Sequence, residues 1–138
     1  MKLKDVMTPQ VETVTPETTI ADAAAKMRSL DVGALPVAQG QQLLGMITDR
    51  DITIRATAEG RDPRATPVRD CLSPNPACGW EEQDVEEALQ LMREKQVRRL
   101  PVLNRDKQLV GIVALADLAA EGSRKDVART VKDVSQPH

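Results

Sequence analysis

Aromatic side chains are almost missing from this sequence. Trp80 is the single one, with no Phe and no Tyr among 138 residues. A core must therefore be aliphatic, and the scarcity argues against a reader of single-stranded nucleic acid that stacks bases on rings. Histidine is just as scarce: His138 stands alone at the C-terminal position. A His-based metal site, or a Ser-His or Cys-His catalytic arrangement, is not expected. Long apolar runs are absent, so no membrane span is expected. The start, Met1-Lys2-Leu3-Lys4-Asp5, offers no apolar signal core. A cytoplasmic protein without a membrane partner is the expectation. Charge of one sign is lacking too: 19 basic against 21 acidic side chains leave −2. That balance argues against a nucleic-acid partner, whose phosphates need neutralising. No Walker loop and no dinucleotide glycine fingerprint occur. With 41% hydrophobic residues there is material for one domain or two small ones. By elimination the chain reads as a binding module, not an enzyme.

What is present is an internal repeat. Asp5–Gln41 aligns with Asp70–Asp106; after one extra residue, Lys107, Gln42–Ile52 aligns with Gln108–Leu118. Met27-Arg28 matches Met92-Arg93, and Val-x-x-Leu-Pro-Val occurs at 32–37 and again at 97–102. Each copy predicts the same elements. A short extended segment (Val11–Val14, Ala77–Trp80) precedes an amphipathic helix. The helix follows Thr19 in one copy, with Ile20, Ala23, Ala24, Met27 and Leu30 on one face. In the other it follows Asp84, with Val85, Ala88, Leu89 and Met92. Thr19-x-x-Asp22 and Asp84-x-x-Glu87 resemble capping signals. Two strands follow, Leu35–Ala38 and Leu43–Thr48, or Leu100–Leu103 and Leu109–Ala114. Their apolar runs predict a sheet covered on both faces. A second helix runs from about Asp49 to Gly60, or from Leu115 to Gly122.

The unit is thus β-α-β-β-α, of the α/β (α+β) class. About fifty residues bury little surface alone, so two copies are expected to pack with pseudo-twofold symmetry. Clefts between them would be natural ligand sites. The sequence divides as repeat one at 1–60, a polar linker with Pro63 and Pro67 at 61–69, repeat two at 70–122 and a polar tail at 123–138.

The doubled unit, the Val-x-x-Leu-Pro-Val strand entry and Gly45-Met46-Ile47-Thr48-Asp49-Arg50-Asp51 resemble a pair of CBS domains, the Bateman module, here with nothing substantial fused to it. The resemblance implies a regulatory protein that binds AMP, ADP, ATP, NAD or S-adenosylmethionine, with no tightly held cofactor. It also implies a disc-shaped homodimer and an unidentified protein target.

The residues of that segment suit the implied role. A glycine permits close backbone approach. Thr48 ends a strand with a hydroxyl, and Asp51 sits in the first turn of the next helix. A carboxylate can accept from two ribose hydroxyls, and a helix N-terminus favours an anion. The same two residues equally describe a capped helix, and the roles can coexist. By resemblance, a first cleft would join Met46, Ile47, Thr48 and Asp51 to Ala77, Cys78, Arg98 and Arg99. Adenine would rest near Met46, Ala77 and Cys78, and Arg98 would meet phosphate. The alternative for the arginine pair is a solvated surface. A second cleft would use Thr13, Gly33, Ala34, Arg50, Ile112 and Asp117. It departs from the pattern: Ala114 replaces the hydroxyl, no arginine precedes its Leu-Pro-Val, and Glu12 would repel a phosphate. It is expected to be weak or empty.

Other features stay open. Cys71 and Cys78 are either reduced thiols or a redox pair closing a short loop. Trp80 is expected in the core or at an interface, with stacking on a base as the other option. Arg50, Arg55, Arg61, Arg64 and Arg69 alternate with acids, which reads as a mixed-charge surface. Val127, Val131 and Val134 allow a short tail helix or a frayed end. The competing function is a ligand-free structural or protein-interaction module, with redox response as a variant of it.

Overall fold

The computed structural model describes residues 1–119 and 131–134. In chain order the elements are α1 (Leu3–Val6), α2 (Ile20–Leu30), β1 (Ala34–Gln39), β2 (Gln42–Thr48), α3 (Asp49–Asp51), β3 (Ser73–Pro74), β4 (Gly79–Trp80), α4 (Val85–Lys95), β5 (Arg99–Leu103), β6 (Leu109–Ala114) and α5 (Leu115–Leu118). A π-helical segment, Ile52–Thr57, continues α3, and a 3-10 turn covers Val68–Asp70. Two three-stranded sheets result, in the orders β1-β2-β3 and β4-β5-β6. The α/β class and the paired units therefore stand.

The packing divides the chain differently from the sequence repeats. One compact unit is Glu12–Pro76; the other joins Met1–Val11 to the chain from Ala77 onward. In each, the strands of one repeat are completed by the segment that precedes the other repeat in sequence.

In the repeat-one unit, Thr19 Oγ1 accepts from the Asp22 N–H at 3.2 Å, as its capping signal predicts. The next orphan donors of α2 are met by the linker: Ile20 N–H donates to Thr66 O and Ala21 N–H to Pro63 O, both at 2.9 Å. The polar linker is thus packed onto the helix start, and Thr66 is buried. Asp31 ends α2 in the left-handed region, at φ 55°. β1 and β2 pair antiparallel with a register shift at Val37/Ala38, while Val14 bridges Val37 in parallel. β1 therefore has neighbours on both edges and is buried over Leu35–Ala38. β2 instead alternates, with Gly45 and Ile47 buried and Met46 and Thr48 half-buried. The expectation of strands covered on both faces holds for β1 and fails for β2, because only one face of β2 meets the core.

The repeat-two unit repeats the plan. Leu3 is fully buried, Val85 N–H donates to Met1 O at 3.0 Å, and Thr8 bridges Ile112 antiparallel. The segment 1–8 thus does for α4 and β6 what 66–74 does for α2 and β2. Asp84 precedes α4 but makes no side-chain cap; its carboxylate lies 3.5 Å from Lys2 Nζ instead. The predicted second cap is therefore absent. α4 closes at Gln96, φ 54°. β6 alternates between buried and half-buried residues as β2 does. Residues 131–134 are helical; Val134 joins this core and Asp133 meets Arg93 Nε at 3.6 Å. Trp80 is 43% exposed, so it is not a core residue. Gly122 and Val127, where the sequence places a helix end and the tail face, lie outside the described residues. No helix among the described residues is long and apolar enough to cross a membrane.

Candidate functional site

The strand-to-helix junction after β2 carries the sequence-predicted chemistry. Thr48, in extended conformation, caps α3: its Oγ1 accepts from the Asp51 N–H at 3.0 Å. Asp51 Oδ2 returns the bond by accepting from the Thr48 N–H at 3.0 Å. This reciprocal box is the capped-helix role foreseen for the pair. Asp51 is only 6% exposed. A buried carboxylate needs partners, and two more come from Ser73 and Arg55. Ser73 Oγ, on β3, lies 3.0 Å from Oδ1 and 3.2 Å from Oδ2. Arg55 Nε lies 3.8 Å from Oδ1, one helical turn on, while Arg55 Nη1 donates to Leu72 O at 2.9 Å. Arg55 was legible from its i,i+4 spacing to Asp51. Ser73 was not, because nothing local announces that a Pro-rich linker pairs with Gly45 and Met46. A carboxylate offers about four acceptor positions, and Thr48 and Ser73 take two of them.

Gly45 has a structural reason apart from any ligand. A Cβ there would lie 2.6 Å from Ser73 O, so the glycine admits β3. Gly111 does the same in the other unit, where a Cβ would run into Met7 and come 3.1 Å from Thr8 O.

Met46, Ile47, Thr48 and Asp51 lie together in the repeat-one unit. Ile47 is fully buried in its core, so its side chain is not a ligand contact. Met46 is half-buried, opposite Ser73. Ala77, Cys78, Arg98 and Arg99 belong to the repeat-two unit. Ala77 and Cys78 are half-buried ahead of β4. Arg98 is exposed and its carbonyl accepts from the Leu115 N–H at 2.8 Å, while Arg99 opens β5, half-buried, opposite Ala114.

The second predicted set differs. Asp117 is exposed, and its Oδ2 accepts from the Ala114 N–H at 3.0 Å. Ala114 has no hydroxyl to complete the box. Ile112 is half-buried in β6. In the repeat-one unit, Gly33 O accepts from Asp49 N–H at 2.9 Å, Ala34 pairs with Thr48, and Arg50 is exposed. Thr13 O accepts from Lys26 Nζ at 2.7 Å, and the same ammonium pairs Glu12 at 3.2 Å. The repulsion expected of Glu12 is therefore partly cancelled by a lysine that sequence reasoning overlooked. Arg61 pairs with Asp70 at 2.7 Å and Arg69 with Glu17, as a mixed-charge surface predicts.

Cys71 is buried and Cys78 half-buried, and no disulfide joins them in this structure. Burial pushes both thiols up from their ordinary pKa; for Cys71, Arg61 opposes that shift. Neither has the lowered pKa of a reactive cysteine. Among the described residues no three His, Cys, Asp or Glu side chains gather as a metal-binding group.

The CBS domain family matches residues 3–56 and 68–124. The chain is 50% identical over 117 residues to the CBS domain-containing protein YhcV of Bacillus subtilis, covering 85% of this chain and 82% of that one. The crystal structure of Hypoxic Response Protein I with two coordinated zinc ions superposes with a TM-score of 0.80 at 36% identity, covering 89% of this chain and all of that one. CBSX2 in complex with AMP superposes with a TM-score of 0.72 at 27% identity, covering 98% of each. Two repeats, each with its β-α-β-β-α order and its strand-to-helix aspartate, agree with those likenesses: this chain is a CBS-domain-pair protein.

Proposed function

We propose that the chain is a regulatory module that binds an adenosine-containing ligand (AMP, ADP, ATP, NAD or S-adenosylmethionine) and signals through a change of conformation. The observation that carries this reading is Asp51: a buried carboxylate at a helix start, with about two acceptor positions left for the two hydroxyls of a ribose. The AMP complex of CBSX2 supports the ligand class. Thr48 lies beside Asp51 at the helix start, Met46, Ala77 and Cys78 take adenine, and Arg98, with Arg99, takes phosphate. Ile47 contributes backbone only. The set Thr13, Gly33, Ala34, Arg50, Ile112 and Asp117 forms a weaker second site, since Ala114 lacks the hydroxyl. A sensor must bind its ligand differently in two states, and the target reads that difference. The module turns nothing over, holds no cofactor tightly and works in the cytoplasm.

Self-association uses the helical side of repeat one. There Leu30 and Ile54 are exposed, and an open groove of about 350 Å³ is lined by Ala24, Met27, Val32 and Ile52 together with the polar Arg28, Asp31, Asp49 and Thr53. Sedimentation of the wild type and of Ile54→Glu tests it; a dimer that Ile54→Glu leaves intact refutes this face.

A thermal-shift panel with AMP, ADP, ATP, NAD and S-adenosylmethionine tests the main reading on wild type and Asp51→Asn. A ligand at a hundred times its Kd adds about 2.7 kcal/mol, which is several degrees. The expected result is a shift with wild type that Asp51→Asn loses. A flat panel favours the second reading, an interaction module without ligand, to which Ala114 already points in repeat two.

A further inference from the structure

Asp51 and Asp117 occupy the same place in the two repeats, yet they are held differently. Asp51 is buried and bonded by the Thr48 N–H and the Ser73 hydroxyl. Asp117 is exposed and has the Ala114 N–H alone among the described residues. The difference originates in the edge segments. Ser73 pairs with Met46 through the backbone, and Gly45 has no Cβ to keep that segment away. Arg55 Nη1 fixes the adjoining Leu72 carbonyl at 2.9 Å. The Ser73 hydroxyl is therefore placed by sheet pairing and not by a free loop. Its counterpart Thr8 pairs with Ile112 in the same way, at 2.9 and 3.0 Å, but its exposed side chain makes no bond to Asp117.

We propose that Ser73 is the positioning residue of a ribose-diol site at Asp51, and so a determinant of selectivity for ribonucleotides. This rests on the ribose reading of Asp51 given above. One hydroxyl within 3.2 Å of both carboxylate oxygens fixes the plane of the group. Together with the Thr48 N–H it consumes two acceptors and leaves two, the number a 2′,3′-diol requires. Without Ser73 the carboxylate is free to turn toward Arg55, and the remaining acceptors no longer match adjacent hydroxyls.

The experiment is calorimetric titration of full-length wild type, Ser73→Ala, Ser73→Thr and Asp51→Asn with AMP and with 2′,3′-dideoxy-AMP. Melting curves of each variant run alongside. Ser73→Ala is expected to bind AMP about tenfold more weakly, which is about 1.4 kcal/mol. Binding of the dideoxy analogue should stay unchanged, so discrimination between the two falls by the same factor. Ser73→Thr keeps a hydroxyl and should restore it. A merely structural serine would weaken both ligands alike, which would overturn the proposal. Tighter AMP binding by Ser73→Ala would overturn it too, since the serine would then compete with the diol. A wild type that binds none of AMP, ADP, ATP, NAD and S-adenosylmethionine, or AMP binding that Asp51→Asn leaves untouched, overturns the ribose reading itself, and the role of Ser73 with it.

Discussion

Replacing Asp51 with alanine should destabilise the protein far more than replacing Asp117, although the two residues align. Asp51→Ala strands the Thr48 N–H at the start of α3 and the half-buried Ser73 hydroxyl, each bonded at about 3 Å in the wild type. A buried donor left unmade costs about 1–3 kcal/mol. The 3.8 Å pair with the half-exposed Arg55 adds little after solvent screening. The sum is about 3 kcal/mol, or on the order of 10 °C in Tm for a domain of this size. Asp117→Ala removes one bond, that from the Ala114 N–H, at an exposed carboxylate, and should cost about 1 kcal/mol or less. The assay is urea unfolding followed by far-ultraviolet circular dichroism, because the 43% exposed Trp80 reports mainly on its own surroundings. Asp51→Asn keeps the shape and one acceptor oxygen, so it should fall between wild type and Asp51→Ala. Equal losses for Asp51→Ala and Asp117→Ala, with unchanged m-values, would refute the claim that burial and Ser73 distinguish the two repeats.

At the helix starts, Thr19→Ala should cost about 1 kcal/mol in urea unfolding, because a real cap is lost. Asp84→Ala should cost under about 0.5 kcal/mol, since it loses only an exposed pair with Lys2. Gly45→Ala forces a Cβ to 2.6 Å from Ser73 O, so it should destabilise by about 2 kcal/mol and expose the edge of β2 to hydrogen exchange; slow exchange there would contradict the close approach. Desolvation raises both thiols, so alkylation of native protein should need a higher pH than that of a free cysteine, with Cys71 the slower. Peptide mapping after a timed pulse of iodoacetamide at pH 8 reads this, and fast Cys71 labelling without denaturant would refute it.

Most elements were legible because their signals are local. Thr19 with the aliphatic face of α2, and Val85 through Met92 in α4, declare helices by spacing alone. Thr48 and Asp51 were legible as a pair for the same reason: a capping box is four consecutive residues. The partner of that box was not. Ser73 reaches Asp51 only through long-range sheet pairing, and Lys26, midway along α2, reaches back to Glu12 ahead of the helix. Ile47 was misplaced because period-two alternation sends its side chain inward while Met46 and Thr48 face the other way. Asp84 has the residue type of a cap, yet Lys2 holds its carboxylate, and a charge partner distant in sequence does not show in a four-residue motif.

The borrowed edge segments have a consequence for synthesis. Leu3 and Thr8 leave the ribosome long before Gln83 and Ile112, the residues whose backbones they bond. The Glu12–Pro76 unit can close as soon as β3 emerges, with the first eleven residues still waiting outside it. Their backbone partners exist only once β6 is made, so capturing them carries the entropic cost of a long loop closure. A cut or a bulky fusion near Leu3 should therefore be felt at the opposite end of the sequence, in the unit that is finished last.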